Sequence, residues 1–448
     1  MKIFVTTLAR LGLICAAIAG PSIASQFELV VLFDSVNGSS PSGKLVQGFD
    51  GSLWGTTCNG GTKNLGTVYQ VTYQGVLTTM HSFDTTDGAC PYGGLILGIN
   101  GDFYGTTPGG GTNSAGTIFQ ITPHGTLTTL NNVGSSGGDR PIGALLQTPS
   151  RLLYGTTWGA GANTDGIIFS ISPSGSNFKT VASFLYSNGA YPYDGLVEDG
   201  QGNFYGTTQK GGDGDNGAGI GTVFKLSPEG IITTLHSFNG TDGQWPTAGL
   251  VLASNGTLYG ATPAGGANGQ GTIFSITPAG DFQVLSNVGS SWGLIQANDG
   301  NLYGVTNISG VPGTLIRMTL SGTTTTLFTF GEDEGRPSGP LAQATDGTLW
   351  GVADGAGTGP GAVYRYNADL DGLVVPVPAF GKVGSVVALM GPEFTGATSV
   401  TFNGVAASYT VKSSRLIWAT VPTGATTGPI EVSGFFPNAY SNPFIVEP

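Results

Sequence analysis

Histidine is scarce in this 448-residue chain, with only His81, His124 and His236 present. A Ser-His-Asp triad, or a copper, iron or zinc centre held by imidazoles, needs such residues gathered at one place. His81 and His236 instead stand in matching contexts, MHSF and LHSF, as structural members of one repeated pattern, and His124 falls in a turn. Carboxylates are the other candidates: Asp87, Asp139, Asp194, Asp242 and the run Glu332-Asp333-Glu334. Two of them flanking a glycosidic bond could cleave a polysaccharide. Asp87-Gly88 and Asp242-Gly243, however, fill a turn that Asn37-Gly38 and Asn188-Gly189 fill elsewhere, and turn formation accounts for them. Asp194, Asp139 and Glu332-Asp333-Glu334 break that template and are the better functional candidates. In KGGDGDNGAGIG, Asp213, Asp215 and Asn216 alternate oxygen ligands as a calcium loop does, but without enough oxygens or a distal Glu. A solvated glycine-rich insertion is the expectation there. The residues therefore predict no catalytic set, no metal site and no cofactor.

What positions these residues is a repeat. A Trp/Tyr-Gly pair recurs at Trp54, Tyr104, Tyr154, Tyr205, Tyr259, Tyr303 and Trp350, a period of about 50 residues. A leucine stands nine residues before each (Leu45, Leu95, Leu145, Leu196, Leu250, Leu294, Leu341), and a proline stands thirteen before all but the sixth, where Ser290 replaces it. Each repeat divides into four short apolar runs, A to D, as in GGLILG, DFYGTT, GTIFQIT and GTLTTLNNV. Asn-Gly or Asp-Gly joins A to B in five repeats, and Pro-x-Gly joins C to D in four; both tolerate the positive φ of tight turns. Four antiparallel strands repeated seven times predict an all-β fold, a seven-bladed β-propeller. The seventh repeat lacks a D strand, and FELVVLFD at Phe27 to Asp34 matches one, so the N-terminal strand is expected to close the ring and cover the open edges.

On such a template the informative positions are those that vary. The residue before the repeat proline is Ser40, Cys90, Arg140, Tyr191, Trp245 or Arg336. Tyr191, Tyr193, Trp245 and Trp292, with Trp158 and Tyr92 nearby by topology, put aromatic rings on the face formed by the D-to-A loops. Beside Arg140 and Asp194 they could bind a sugar or a protein by stacking and fixed hydrogen bonds. The alternative is that the rings pack between blades. Candidate ligand residues are thus Arg140, Trp158, Tyr191, Tyr193, Asp194, Trp245 and Trp292.

Charge narrows the partners. Only 9% of residues are charged, and the net charge of -12 disfavours nucleic acid, which demands clustered Lys and Arg. Residues 1–25, with Lys2 and Arg10 before LGLICAAIAG, read as a signal peptide, which predicts export to the outside, cell surface or periplasm and no transmembrane segment afterwards. Removal takes Cys15 away and leaves Cys58 and Cys90. Their B-to-C and D-to-A loops emerge on one propeller face, so a disulfide between neighbouring blades is expected, the alternative being two thiols at unrelated positions.

The repeat occupies residues 26–368. After a stiff linker at 369–375, residues 376–448 alternate apolar and polar residues in short runs, as a small Ig-like β-sandwich would. Two resemblances follow. The unit P-x-x-x-L, DG-x-L-[WY]-G-T-T, GG, G-T-[VI]-[FY] and L-T-T-L-x-S-F resembles the GloVer-type tandem repeat of secreted bacterial proteins. The tail, GPEFTGATSVTFNGV then WATVPTGATTGPIEV, is similar to an IPT/TIG domain. The first implies an exported propeller and brings no reaction or catalytic residues; the second implies a spacer or adhesion module. The reading is a secreted, monomeric, non-enzymatic binding or scaffold protein for an extracellular glycan or protein. The alternative is a propeller-type polysaccharide hydrolase or lyase using loop carboxylates.

Overall fold

The computed structural model describes residues 26–134, 137–214, 219–288, 293–307, 311–434 and 439–447. The expected signal peptide, Trp292, Asp215 and Asn216 lie outside these residues. Seven antiparallel sheets of four or five strands succeed one another along the chain: a seven-bladed propeller. In the second blade the strands are A (Leu95–Leu97), B (Phe103–Thr107), C (Thr117–Ile121) and D (Leu127–Asn132), in spatial order D-C-B-A. In the seventh sheet the outer strand is Phe27–Leu32 from the other end of the chain, Phe27 lying opposite Tyr366 and Leu32 opposite Ala362.

Each repeated residue has a packing reason. In the B-C ladder Gly105 lies opposite Phe119, and a Cβ on it would come within 2.6 Å of the Phe119 ring and 2.9 Å of the Leu95 side chain. In six of the seven blades the glycine after the aromatic is the gap into which a C-strand ring fits, joined in blades one to five by a leucine from before or within the A strand, an interlock that any methyl would overfill. The aromatic before it turns to the next blade: Trp54 stacks on Phe103 at 4.3 Å, and Tyr154 on Phe204 at 4.6 Å. The two threonines that follow divide the hydrogen bonding. Thr106 and Thr207 donate across to the next blade, to the carbonyls of Gly143 (3.1 Å) and Ala248 (3.0 Å). Thr107 pairs with Thr117 of strand C at 2.8 Å, and Thr117 donates in turn to the Asp87 carbonyl in the incoming loop at 2.9 Å. A buried hydroxyl costs free energy unless bonded, so both threonines are fixed by partners. The repeat proline seats against the glycine opening the previous blade's C strand, Pro91 on Gly66 and Pro141 on Gly116. The same contact joins the last blade to the first, Pro41 on Gly361, and the Ser40 N–H donates to the Pro360 carbonyl at 2.9 Å.

Beyond the propeller, strands from Leu373 to Ser441 form one curled eight-stranded sheet. It begins inside the segment expected to be a linker, because Leu373–Val377 pairs with Val386–Met390 on one side and Ala439–Ser441 on the other. Curling lets a single sheet enclose its own core of Val387, Leu389, Phe394, Phe402, Ile417 and Phe444. This unit lies against the face of the propeller made by the A-B and C-D turns. The Leu373 N–H donates to the Thr345 carbonyl at 3.0 Å, and the Arg415 guanidinium lies 5.0 Å from the Tyr73 ring centre.

Candidate functional site

The opposite face carries the D-to-A and B-to-C loops, and the residue before the repeat proline governs its rim. In blades one to five this residue has a left-handed backbone: φ is 52° at Ser40, 57° at Cys90, 51° at Arg140, 61° at Tyr191 and 56° at Trp245. The fold demands it, because the turned N–H reaches a carbonyl of the preceding blade, from Arg140 to Ala115 (2.8 Å), Tyr191 to Asp165 (2.9 Å) and Trp245 to Ile220 (2.8 Å). Glycine adopts this conformation freely, whereas a side chain with a Cβ costs about 1 kcal/mol or more. The chain nevertheless places arginine, tyrosine and tryptophan here.

Four of the five, all but Ser40, meet a side-chain partner from the end of a B strand or the loop that follows it. Cys90 is disulfide-bonded to Cys58, four residues after Trp54, with Cα atoms 3.8 Å apart. Trp158, four after Tyr154, stacks on Tyr191 at 4.3 Å and 15°. The Arg140 guanidinium lies 4.9 Å from the centre of the same Trp158 ring. A face covered by a parallel ring at that distance has no room for a guanidinium, so Arg140 takes the other face. Lys210 sits 4.9 Å over Trp245, whose exposure is 39%. Tyr191 and Trp158 are therefore half-buried clamps as well as rim residues, while Trp245 and Arg140 remain open to solvent.

Inside the rim, the chain just before each A strand crowds the propeller axis. A Cβ on Gly93 would lie 2.6 Å from the Gly143 carbonyl carbon, and one on Gly143 would lie 2.7 Å from the Gly195 nitrogen. Asp194 takes the place of a glycine in this ring. Its Oδ1 accepts the Gly195 N–H at 2.7 Å and its Oδ2 accepts the Gly249 N–H at 2.8 Å, tying blade four to blade five. Below the ring runs a cavity of about 940 Å³ along the axis, lined by Lys44, Tyr92, Tyr193 and Asp194 at the loop face and by Glu198, Val251 and Leu252 deeper down. Asn442, Pro443 and Ile445 of the C-terminal unit line its far end. Tyr92 and Tyr193 meet edge to face at 6.0 Å.

Surrounding blades lower the local polarity around these groups and disfavour their charged forms, although the Lys44 side chain stays exposed and Tyr92, Asp194 and Glu198 are half-buried. Desolvation holds the Lys44 ammonium below the ordinary lysine value, with the Asp194 charge opposing in part. It pushes the Asp194 carboxyl up against the pull of the Gly195, Gly249 and Ala144 backbone groups and of Lys44. It also raises the Tyr92 phenol. Glu198 rises to about 7 through burial and the neighbouring negative charges of Asp199 and Glu447.

The remaining candidates stay apart from the cavity. His81 bonds Asp87 at 2.8 Å and His236 bonds Asp242 at 2.9 Å, each pair linking a D strand to the turn that follows. Glu334 accepts the Gly331 N–H at 2.8 Å within its own loop. Asp139 stands on the rim beside Gly159, outside the cavity lining. Among the described residues no group of three or more His, Cys, Asp or Glu could hold a metal ion, and no helix is long and apolar enough to cross a membrane. Lys44 and Glu198 are absent from the residues read as candidates. A signal existed for Lys44: before the A-strand leucine the other repeats carry Gly94, Ala144, Gly195, Gly249, Gly293 and Pro340.

The fold and site together define a seven-bladed propeller with an axial cavity, a built-up loop rim on one face and an accessory β unit on the other. Residues 21–220 and 218–410 match the model of the Gloeobacter/Verrucomicrobia repeat, and the chain belongs to that family. No curated protein matches it. Among solved structures, a fungal alcohol oxidase of the AA5 family in complex with copper is similar over 93% of this chain and 98% of its own, at 13% identity and a TM-score of 0.55. An oligogalacturonate lyase from Vibrio parahaemolyticus covers 76% of this chain and 96% of its own, at 10% identity and a TM-score of 0.48. At such identities the likeness is one of fold alone.

Proposed function

We propose that the protein is an exported binding or scaffold module that recognises an extracellular glycan or protein through the D-to-A loop face. The observation that carries this is the rim: Arg140, Tyr191 and Trp245 occupy left-handed backbone that glycine would fill at lower cost, on the loop face outside the cavity lining. Strain kept at a surface site is best accounted for by what the side chain contacts there. In this reading the N-terminal strand closes the ring, and the Cys58–Cys90 bridge suits an oxidising compartment. The C-terminal unit, an Ig-like module of the IPT/TIG kind, serves as a spacer.

The hydrolase or lyase reading is weaker because Asp194, one of the two carboxylates lining the cavity, is committed to the backbone N–H groups of Gly195 and Gly249. The test is a glycan array probed with the mature protein and with the Tyr191→Ala, Trp245→Ala double variant. Binding by the first and loss by the second, with folding retained, is the expected result. Turnover of any bound polysaccharide, or equal binding by both proteins, refutes it.

A further inference from the structure

Resting on the binding reading above, we propose that the mouth of the axial cavity receives the carboxylate of an acidic sugar, a uronic acid, with Lys44 as its counter-ion. Lys44 lines the cavity, and among the described residues it has neither an ion pair nor a hydrogen bond. The fold does not require it, since glycine, alanine or proline serves at that place in the six other blades. Its nearest acidic neighbour, Asp194, already holds the N–H groups of Gly195 and Gly249. The protein packed around the cavity holds the exposed Lys44 ammonium below the ordinary lysine value, and an entering anion favours its charged form.

The surroundings select among anions. Beyond its backbone partners the Asp194 carboxylate keeps an acceptor position for a hydroxyl, and Tyr92 and Tyr193 set aromatic surface beside it. One cation, one hydroxyl acceptor and two phenol rings match a monoanionic ring that bears hydroxyls. A phosphate dianion would find a single positive charge with a carboxylate beside it. Arg140, exposed on the rim, offers a second cation to the next acidic residue of a chain.

The experiment is calorimetric titration of the full mature chain with trigalacturonate, its methyl ester and a neutral trisaccharide of the same linkage, with a peptide ending in a free carboxylate as a further arm. A charge-assisted contact predicts that the acid binds about tenfold or more tighter than the ester. Lys44→Met should reduce that ratio to within about twofold, and Lys44→Arg should retain most of it. Equal affinity for acid and ester in the unaltered protein overturns the proposal without any variant, as does an unchanged ratio in Lys44→Met. Neutral sugars binding as well as acidic ones would refute the role of Lys44 and leave the rim reading standing. Capture of the peptide but no sugar would refute the sugar while keeping a binding face, and no binding in any arm, nor on the array, would remove both readings.

Discussion

Replacing Arg140, Tyr191 and Trp245 together by glycine should leave the protein about as stable as before, whereas replacing them by alanine should not. The three sit at φ values of 51°, 61° and 56°. Relief of left-handed strain yields about 1 kcal/mol per site for glycine, or roughly 3 kcal/mol in all, and none for alanine, which keeps the Cβ. Both triple variants lose the same contacts. These are the Tyr191–Trp158 stack, worth about 1 kcal/mol, the Arg140 and Lys210 cation–π contacts, each about 0.5 to 1 kcal/mol, and some half-buried ring area. The losses total roughly 3 kcal/mol, so the glycine variant should come out near neutral and the alanine variant about 3 kcal/mol below it. Guanidinium unfolding followed by circular dichroism measures the difference, and the array reports binding, which both should lose. Equal stability of the two variants would refute the strain argument. A glycine variant far below the native protein would show that the rings serve packing first, and the case for a binding rim would fall with it.

Three further outcomes are expected. Gly105→Ala should cost about 2 to 3 kcal/mol by overfilling the gap against Phe119, and adding Phe119→Leu should restore part of it; strictly additive effects in that cycle would disprove the interlock. Deleting residues 26–32 should lower the unfolding midpoint more than removing residues 373–448 does, because it bares the ladder to Ala362–Tyr366 and empties the site where Phe27 stacks on Phe328 at 4.0 Å; the opposite order would contradict it. Glu198 titrates at about 7 in the fold against an ordinary 4.5, so its neutral form is favoured there, and the associated stability is present below about pH 4.5 and lost as pH rises through 7. Glu198→Gln should then stabilise the protein by about 1 to 2 kcal/mol at pH 8, after allowance for solvent screening of this half-buried group, and by almost nothing at pH 4.5. A gain independent of pH would refute that origin.

The blade count and strand order were legible because each repeated residue has a local steric or hydrogen-bonding reason, and such reasons recur with the chain's own period. Gly105 against Phe119 and Pro91 against Gly66 recur in six of the seven blades, and Thr107 against Thr117 in five. The rim residues were legible as departures from that period. Their backbone was not: Arg140, Tyr191 and Trp245 carry no mark of positive φ, since the demand comes from a carbonyl one blade away. Nor could spacing reveal that Trp158 lies between Tyr191 and Arg140. The tail's alternation points to a small two-sheet sandwich, whereas its strands join in one curled sheet; the joining strand, Leu373–Val377, pairs on one edge with Val386–Met390 and on the other with Ala439–Ser441, more than sixty residues away, which alternation alone does not reveal.

The seams between blades are not equally strong. Equivalent positions hold a covalent bridge between blades one and two, a pair of stacked rings between three and four, and an ammonium over an indole between four and five. Pulled apart by its ends, such a ring would part at its softest joint and not at random, and the stretch from blade three to blade five would move as one piece. These rim pairs add to contacts the seams share, such as Trp54 on Phe103 and Thr106 on the Gly143 carbonyl, so changing one pair retunes a single joint. Cysteines placed at 158 and 191 would copy the first joint onto the third, stiffening one arc of the ring while leaving the axial cavity as it is.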